Sequence, residues 1–197
     1  NTGSQWRHGI YRDIYPYSSL QKKMSIEVVS VTDENGNLYQ YRTSEEGKNF
    51  RIKIGDPEAT FSGRQTYVIK YHTARAVAQY DAFDEIYWNV TGNEWNIPIY
   101  QTTAKVILPS GAVMTQSACY FGYEDSTTQC EPAELINDNY DFFAPSVLEP
   151  YEGLTVAVGF QKGIVTPYSS SDAVSSFFDK YWRCLIAGIL PILSLIF

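Results

Sequence analysis

The sequence predicts a mainly β protein: an antiparallel β-sandwich of broadly immunoglobulin-like type, followed by a C-terminal helix that begins a transmembrane span. Three observations predict this architecture. Aromatic side chains, which suit the pleated and half-buried surface of a sheet, make up 15% of the 197 residues. Short stretches of alternating apolar and polar residues are separated by turn residues, as in sandwich domains. The chain ends in an uncharged apolar run.

The first predicted strands lie on either side of an Asn-Gly dipeptide at residues 35–36, which is the strongest short signal for a β-hairpin. Residues 24–33 and 38–43 alternate apolar and polar positions and would pair across this turn. A third strand is predicted over residues 49–54, where a Gly-Asp-Pro sequence then breaks the pattern.

Further strands are predicted over residues 65–73, 97–108 and 154–160. No amphipathic helix is evident before residue 172, so these segments would complete the antiparallel sandwich. Residues 122–150 have the weakest strand pattern and are predicted to form long loops held together by a pair of cysteines.

Cys119 and Cys130 lie close together in a turn-rich stretch, whereas Cys184 stands apart. In an exported domain the close pair would form a disulfide, while in the cytosol the two residues would be free thiols or half of a metal site. A metal site has little support because no second pair of Cys or His residues lies nearby. We therefore predict a disulfide, provided that the domain is exported.

The C-terminal segment indicates attachment to a membrane. Residues 184–197 read CLIAGILPILSLIF, in which Ser194 is the only polar side chain. Because a membrane span needs about 20 apolar residues, this run is expected to be the truncated start of a span. The Tyr-Trp-Arg sequence at residues 181–183 is typical of the headgroup level of a membrane helix. The alternative is a buried helix of the core.

Two segments follow from these patterns. Residues 1–168 are predicted to form an extracytoplasmic β-sandwich domain, and residues 169–197 a juxtamembrane helix that runs into the truncated transmembrane helix. This topology places the chain at the cell membrane and implies a signal peptide that has been removed. We expect residues 1–170 alone to be soluble and monomeric, whereas the whole chain should need detergent.

The charge excludes one class of partner. The formal net charge is −7, and the densest basic run is the pair at residues 22–23. A protein that binds nucleic acid needs clustered Lys and Arg to neutralise phosphates, so no nucleic-acid partner is expected. No sequence motif indicates a cofactor, and none is expected.

Residues 87–95, YWNVTGNEW, place two tryptophans on either side of a polar turn. Aromatic side chains next to amides can stack on and hydrogen-bond a sugar ring or a peptide. The candidate binding residues are accordingly Tyr87, Trp88, Asn89, Asn93 and Trp95. The alternative is structural: the tryptophans would plug the core and the asparagines would bond the backbone of the turn. We expect the two indoles to be more buried than exposed; exposure of both on one face would favour the binding role instead.

A second candidate is the acidic stretch that contains Asp81, Asp84 and Glu85. These carboxylates are weak candidates for binding a hard cation, or for an acid and base pair in glycoside hydrolysis. The alternative is a solvated acidic loop. No nucleophile elbow, phosphate loop or zinc-protease motif is present.

An ordered set of short motifs spans most of the chain. The motifs are GIYRDI at 9–14, IGDP at 54–57, GRQTY at 63–67, YWNVTGNEW at 87–95 and GLTVAVGF at 153–160. In this order they resemble the YciQ-like family of bacterial predicted membrane proteins, known as domain of unknown function 2207. The resemblance implies an exported N-terminal β domain followed by membrane helices and a cytoplasmic tail. It supplies no activity and no catalytic residues.

Together these observations predict a binding or scaffolding module at the cell envelope, attached to the membrane through its C-terminal helix. Its partner would be an envelope polymer or a protein. Two alternatives stay open: an envelope polysaccharide hydrolase that uses the acidic loop at residues 81–85, and a purely structural ectodomain.

Overall fold

The computed structural model describes residues 7–131, 133–136 and 139–167. The chain divides into two compact units, Asn1–Ile164 and Val165–Phe197. The described residues of the first unit form twelve β-strands, which are β1 (Gly9–Ile14), β2 (Ser25–Thr32), β3 (Tyr41–Glu46), β4 (Asn49–Gly55), β5 (Val68–Ala74), β6 (Val77–Gln79), β7 (Asp84–Asn89), β8 (Thr103–Val106), β9 (Met114–Gly122), β10 (Glu134–Ile136), β11 (Asn139–Phe143) and β12 (Gly153–Phe160).

All strand pairs in the described residues are antiparallel, and they form four sheets. The strand orders are β1-β4-β3, β2-β5, β6-β7-β12-β9 and β10-β11-β8. The mainly β prediction is confirmed, while the immunoglobulin-like arrangement stays a prediction. The predicted helix over residues 169–197 lies outside the described residues. No helix among the residues described is long and apolar enough to cross a membrane.

The Asn-Gly turn forms as predicted, but it does not join two paired strands of one sheet. Asp33 caps the turn, because its carboxylate accepts hydrogen bonds from the backbone of Asn35 and Asn37 at 2.9 and 2.8 Å. Beyond the turn β3 pairs with β4, whereas β2 pairs with β5. The predicted pairing of residues 24–33 with 38–43 is therefore confirmed only next to the turn, where Thr32 and Leu38 form an antiparallel bridge and the Tyr39 N–H donates to the Val31 carbonyl at 2.9 Å. Farther along, the apolar faces select other partner strands.

Two further predictions, one of a strand and one of a loop, are confirmed only in part. The predicted strand over residues 97–108 is regular only in β8, preceded by an isolated bridge between Ile99 and Leu148. Residues 122–150 are not all loop, because they contain β10 and β11, and the latter buries Phe142 almost completely. Strand β9 was not predicted at all; its first half is polar and exposed and carries no regular alternation.

The apolar side chains form two clusters. The N-terminal cluster is formed by strands of the first two sheets, and its buried members are Ile14, Val31, Ile52 and Ile54. The C-terminal cluster is formed by the other two sheets, and its buried members are Ala104, Cys119, Phe142, Leu148, Leu154, Val156 and Val158. Trp88 packs against both clusters, and its ring lies 6.2 Å from that of Tyr71. A single side chain thus contributes to both halves of the core.

The predicted pairing of Cys119 with Cys130 is present, with Cα atoms 5.2 Å apart. Cys119 is a buried residue of β9, and the backbone N–H of Cys130 donates to its carbonyl at 3.0 Å. A second bond runs from the Phe121 N–H to the Thr128 carbonyl at 3.0 Å. The disulfide therefore fastens the segment around Thr128 along the end of β9.

Removing this disulfide should lower the free energy of unfolding by about 2–4 kcal/mol, because the cross-link restricts the unfolded chain. The experiment compares the Cys119→Ala/Cys130→Ala variant with its parent in urea denaturation. Both proteins carry Cys184→Ala, so that no third thiol can exchange with the pair. A loss below about 0.5 kcal/mol would contradict the expectation that the cross-link stabilises the native state.

Candidate functional site

A cleft of about 470 Å³ lies against the four-stranded sheet β6-β7-β12-β9. Strand β7 alternates between two faces: Ile86 and Trp88 pack on the C-terminal cluster, so Tyr87 and Asn89 point to the opposite face. Both of these residues line the cleft, and Tyr87 is 40% exposed. The cleft therefore occupies the face of this sheet that points away from the C-terminal cluster.

Small side chains of β12 form the floor of the cleft. Gly153 and Thr155 line it, and they alternate with Leu154 and Val156, which are buried in the C-terminal cluster. A Cβ atom at Gly153 would lie 2.9 Å from the side chain of Asn93, so a larger residue there would displace that amide. The alternation of small and apolar residues in β12 thus serves the cleft and the core at once.

Two tyrosines flank this floor. Tyr87 of β7 lies opposite Ala157 of β12, and Tyr120 of β9 lies opposite Thr155. Because β12 runs between them and their partners on β12 are two residues apart, the Cα atoms are separated by roughly 12 Å, which combines two strand spacings with two residues of rise. Burial raises the pKa of Tyr87, and the nearby Tyr120 and Asp125 add to this effect. The Tyr87 phenol therefore stays protonated and able to donate a hydrogen bond.

The turn between β3 and β4 reaches over to loops of the C-terminal half. The Lys48 ammonium bonds the Glu124 carboxylate and lies 5.5 Å from the centre of the Tyr15 ring. The next residue, Asn49, donates from Nδ2 to Glu94 at 3.1 Å. All five of these side chains line the cleft. The Lys48–Glu124 and Asn49–Glu94 contacts therefore close it on one side.

Hydrogen bonds hold the turn at residues 89–95 in place. The Asn89 amide donates to Asn93 at 2.6 Å and accepts from the Gly92 N–H at 2.8 Å. Asn93 in turn donates to the carbonyls of Gly122 and Tyr151 at 3.2 and 3.0 Å. Both amides are therefore engaged within the protein, as the structural alternative for this stretch predicted.

The two tryptophans also match the structural alternative. Both are partly buried, which agrees with the expectation that they are more buried than exposed. Trp88 belongs to the core, and Trp95 Nε1 donates to the Thr91 carbonyl at 2.8 Å. The described lining of the cleft includes Tyr87, Asn89 and Asn93 but neither tryptophan.

Arg12 supports the same turn from the N-terminal half and was not singled out from the sequence. Its buried guanidinium donates to the carbonyls of Asp13, Thr91 and Val90 at 2.7, 2.5 and 3.0 Å. Burial lowers the pKa of Arg12, yet an arginine keeps its charge in proteins. The carboxylate of Asp13 is held by Arg51 instead, through two bonds of 2.8 Å. In a single sequence nothing distinguishes a buried arginine in a strand from an exposed one, so Arg12 could not be selected from the sequence.

The three acidic candidates lie in different surroundings. Asp81 is exposed; Asp84 is almost fully buried, and its Oδ1 lies 3.7 Å from Lys162 Nζ without a hydrogen-bond partner in the described structure. Burial raises the pKa of Glu85, although hydrogen bonds with the Ser19 and Tyr80 hydroxyls partly offset this effect.

The acidic candidates are not arranged for the two chemistries that were considered. Asp84 and Glu85 are neighbours in a strand and therefore point to opposite faces of the sheet. They cannot flank one glycosidic bond as a pair. Within residues 7–131, 133–136 and 139–167, no group of three His, Cys, Asp or Glu side chains could hold a metal ion.

By its fold the chain is a β-rich domain of antiparallel sheets with a polar cleft on one sheet face. The family model described as "Predicted membrane protein (DUF2207) N-terminal domain" matches residues 1–160, and the chain belongs to this family. The match confirms the resemblance found in the motifs and supports association with a membrane. No curated protein and no solved structure matches the chain.

Proposed function

We propose that this chain is a membrane-anchored, extracytoplasmic binding module of the cell envelope whose ligand occupies the cleft between Tyr87 and Tyr120. The observation that carries the proposal is this pair of tyrosines over a floor of small residues. The cleft volume lies within the range of roughly 300–1,000 Å³ that is usual for ligand sites. Tyrosine provides a large, rigid and amphipathic contact surface at low cost in conformational entropy.

The walls of the cleft support the proposal because they are held rigidly. Asn89 and Asn93 bond the backbone of the turn, and Arg12 fastens the same turn to β1. On the opposite side the disulfide fastens the end of β9. A site built in advance loses little entropy when a ligand binds.

The disulfide also supports a location of the domain on the extracytoplasmic side of the membrane, because such bonds persist in oxidising compartments. The family description supports association of the protein with a membrane. A hydrolase that uses residues 81–85 is the weaker candidate, since Asp84 is buried inside the domain and Glu85 points to the other face of β7.

The test is a binding titration of the 197-residue chain in a non-ionic detergent, followed by amide chemical shifts. The probes are a neutral chitin trisaccharide, a lysine tripeptide with blocked ends, and inorganic polyphosphate. We expect a probe to perturb residues that line the cleft, and Tyr87→Ala or Tyr120→Ala to weaken its binding at least about tenfold.

The control is Tyr100→Ala, which removes a tyrosine that is 76% exposed and does not belong to the described lining. This variant should bind as the parent does. If no probe perturbs the cleft, or if all three variants bind equally well, the cleft is not a ligand site and the purely structural alternative is correct.

A further inference from the structure

We propose that the cleft receives a lysine or arginine side chain from an extended segment of a partner protein, and that Lys48 of this chain holds the same kind of position in the unliganded domain. This inference rests on the proposed function, because it names the class of ligand for the same cleft. It is carried by three observations: the charge of the cleft, the hydrogen bonds of its amides and the contacts of Lys48.

The charge of the cleft favours a cation. Its described lining contains the carboxylates of Asp13, Glu94, Glu124 and Asp125 but only one cationic side chain, that of Lys48. Arg51 compensates Asp13 from outside the lining, and Lys48 compensates Glu124. Glu94 and Asp125 are exposed and form no ion pair in the described residues, so an anionic polymer would be repelled and a cation attracted.

The amide side chains of the cleft favour a cation over a neutral sugar, although the Tyr87 phenol remains able to donate to a sugar hydroxyl. A sugar hydroxyl is best held by a donor and an acceptor together. The amides of Asn49, Asn89 and Asn93 already donate to partners inside the domain. An ammonium or guanidinium group brings its own donors and needs only acceptors, which the carboxylates and phenol oxygens supply.

Lys48 shows how such a group is recognised here. Its ammonium lies over the face of Tyr15 and bonds the carboxylate of Glu124, which combines a cation–π contact with an ion pair. Both charged side chains are more than half exposed, at 54% and 61%, so this contact is screened by water and easily opened. The side chain therefore acts as a weak internal competitor for Tyr15 and Glu124.

A protein side chain fits the cleft better than an amino sugar does. The long apolar stem of a lysine can lie along aromatic faces while its charged end reaches a carboxylate. Tyr87 and Tyr120 offer such faces on either side of β12, and Asp125 lies close enough to Tyr87 to influence its phenol. An arginine would use the same groups and could stack its planar guanidinium on a ring.

The test measures the Kd of the blocked lysine tripeptide for the intact chain in detergent by isothermal titration calorimetry, at low and high salt. The same peptide with acetylated side chains keeps the shape but lacks the charge. A trisaccharide of glucosamine carries amines on a sugar, and the chitin trisaccharide is neutral. We expect the lysine peptide alone to bind, and its affinity to fall with salt.

Three variants give the decisive contrast. Glu94→Gln/Asp125→Asn should weaken the lysine peptide about tenfold because it removes acceptor charge. Lys48→Met should strengthen it by up to about fivefold because it removes an exposed competing ion pair. Lys70→Met, which removes an exposed lysine of β5 outside the described lining, should leave the Kd unchanged.

Several outcomes would overturn the inference. If either trisaccharide binds the cleft through Tyr87 and Tyr120 while the lysine peptide does not, the ligand class is wrong but the proposed function stands. If the acetylated peptide binds as well as the charged one, the cationic ligand is refuted, and if Lys48→Met weakens binding, the role of Lys48 as a competitor is refuted. If no probe binds the cleft, the inference fails together with the proposed function.

Discussion

Replacing Trp88 with alanine is expected to lower the free energy of unfolding by about 3–5 kcal/mol, which is typical of a large aromatic residue removed from a core. The reason is its position: Trp88 is the described side chain that packs against both the N-terminal and the C-terminal cluster. Urea denaturation followed by circular dichroism measures the loss. We also expect the single transition to broaden, because the two clusters lose the side chain that they share.

Tyr100→Ala serves as the control, since Tyr100 is 76% exposed and its removal should change the free energy of unfolding by less than about 0.5 kcal/mol. A loss of under about 1 kcal/mol for Trp88→Ala would show that neighbouring side chains fill the space and that the two clusters are stable independently. In that case Trp88 does not couple the halves of the domain.

Replacing Arg12 with methionine is expected to lower the free energy of unfolding by about 2–4 kcal/mol, because one buried and two part-buried hydrogen bonds from a charged donor to backbone carbonyls are lost together. Methionine keeps the length of the side chain, so the loss reports the hydrogen bonds more than the packing. The matched control is Arg42→Met on β3, where the arginine is exposed.

The Arg12 variant has a second readout that a general loss of stability would not produce. Because the guanidinium holds the carbonyls of Val90 and Thr91, the amide signals of the 89–95 turn should shift more than those of β12. Binding at the cleft should weaken even under conditions where the variant is fully folded. Equal stability of the Arg12 and Arg42 variants would mean that water replaces the guanidinium without cost.

The stretch that the sequence singled out contributes to the cleft, although the contacts of its side chains were not predicted. The stretch from Tyr87 to Trp95 was singled out because two tryptophans lie on either side of a polar turn that contains asparagines, and three of its five candidates do line the cleft. The assignment of roles was less accurate, since Asn89 and Asn93 bond the protein itself and Trp88 belongs to the core. A sequence shows which groups are present but not whether their hydrogen bonds are already used.

The other residues of the cleft could not be predicted from patterns along the sequence. Tyr120 became a wall only because β9 pairs with the far side of β12, and Lys48 entered the site because the β3–β4 turn reaches Glu124. Each of these contacts joins residues that are far apart in sequence. The acidic stretch attracted attention for its composition, yet strand geometry separates Asp84 from Glu85.

The sequence by itself determined those properties that depend on neighbours along the chain. The alternation at residues 154–160 specified the strand β12, the Asn-Gly dipeptide at residues 35–36 specified a turn, and the spacing of Cys119 and Cys130 indicated their pairing. The ordered motifs specified the family.

Only the tertiary structure decided which strands share a sheet and which residues meet in the cleft. The pairing of β2 with β5 follows from burying Val31 with Ile52 and Ile54, and the same packing leaves Trp88 between the two clusters. The physical reason is that the hydrophobic effect is not directional: any arrangement that removes apolar area from water is stabilised. The partner of one apolar strand face therefore depends on how all the other apolar faces are packed.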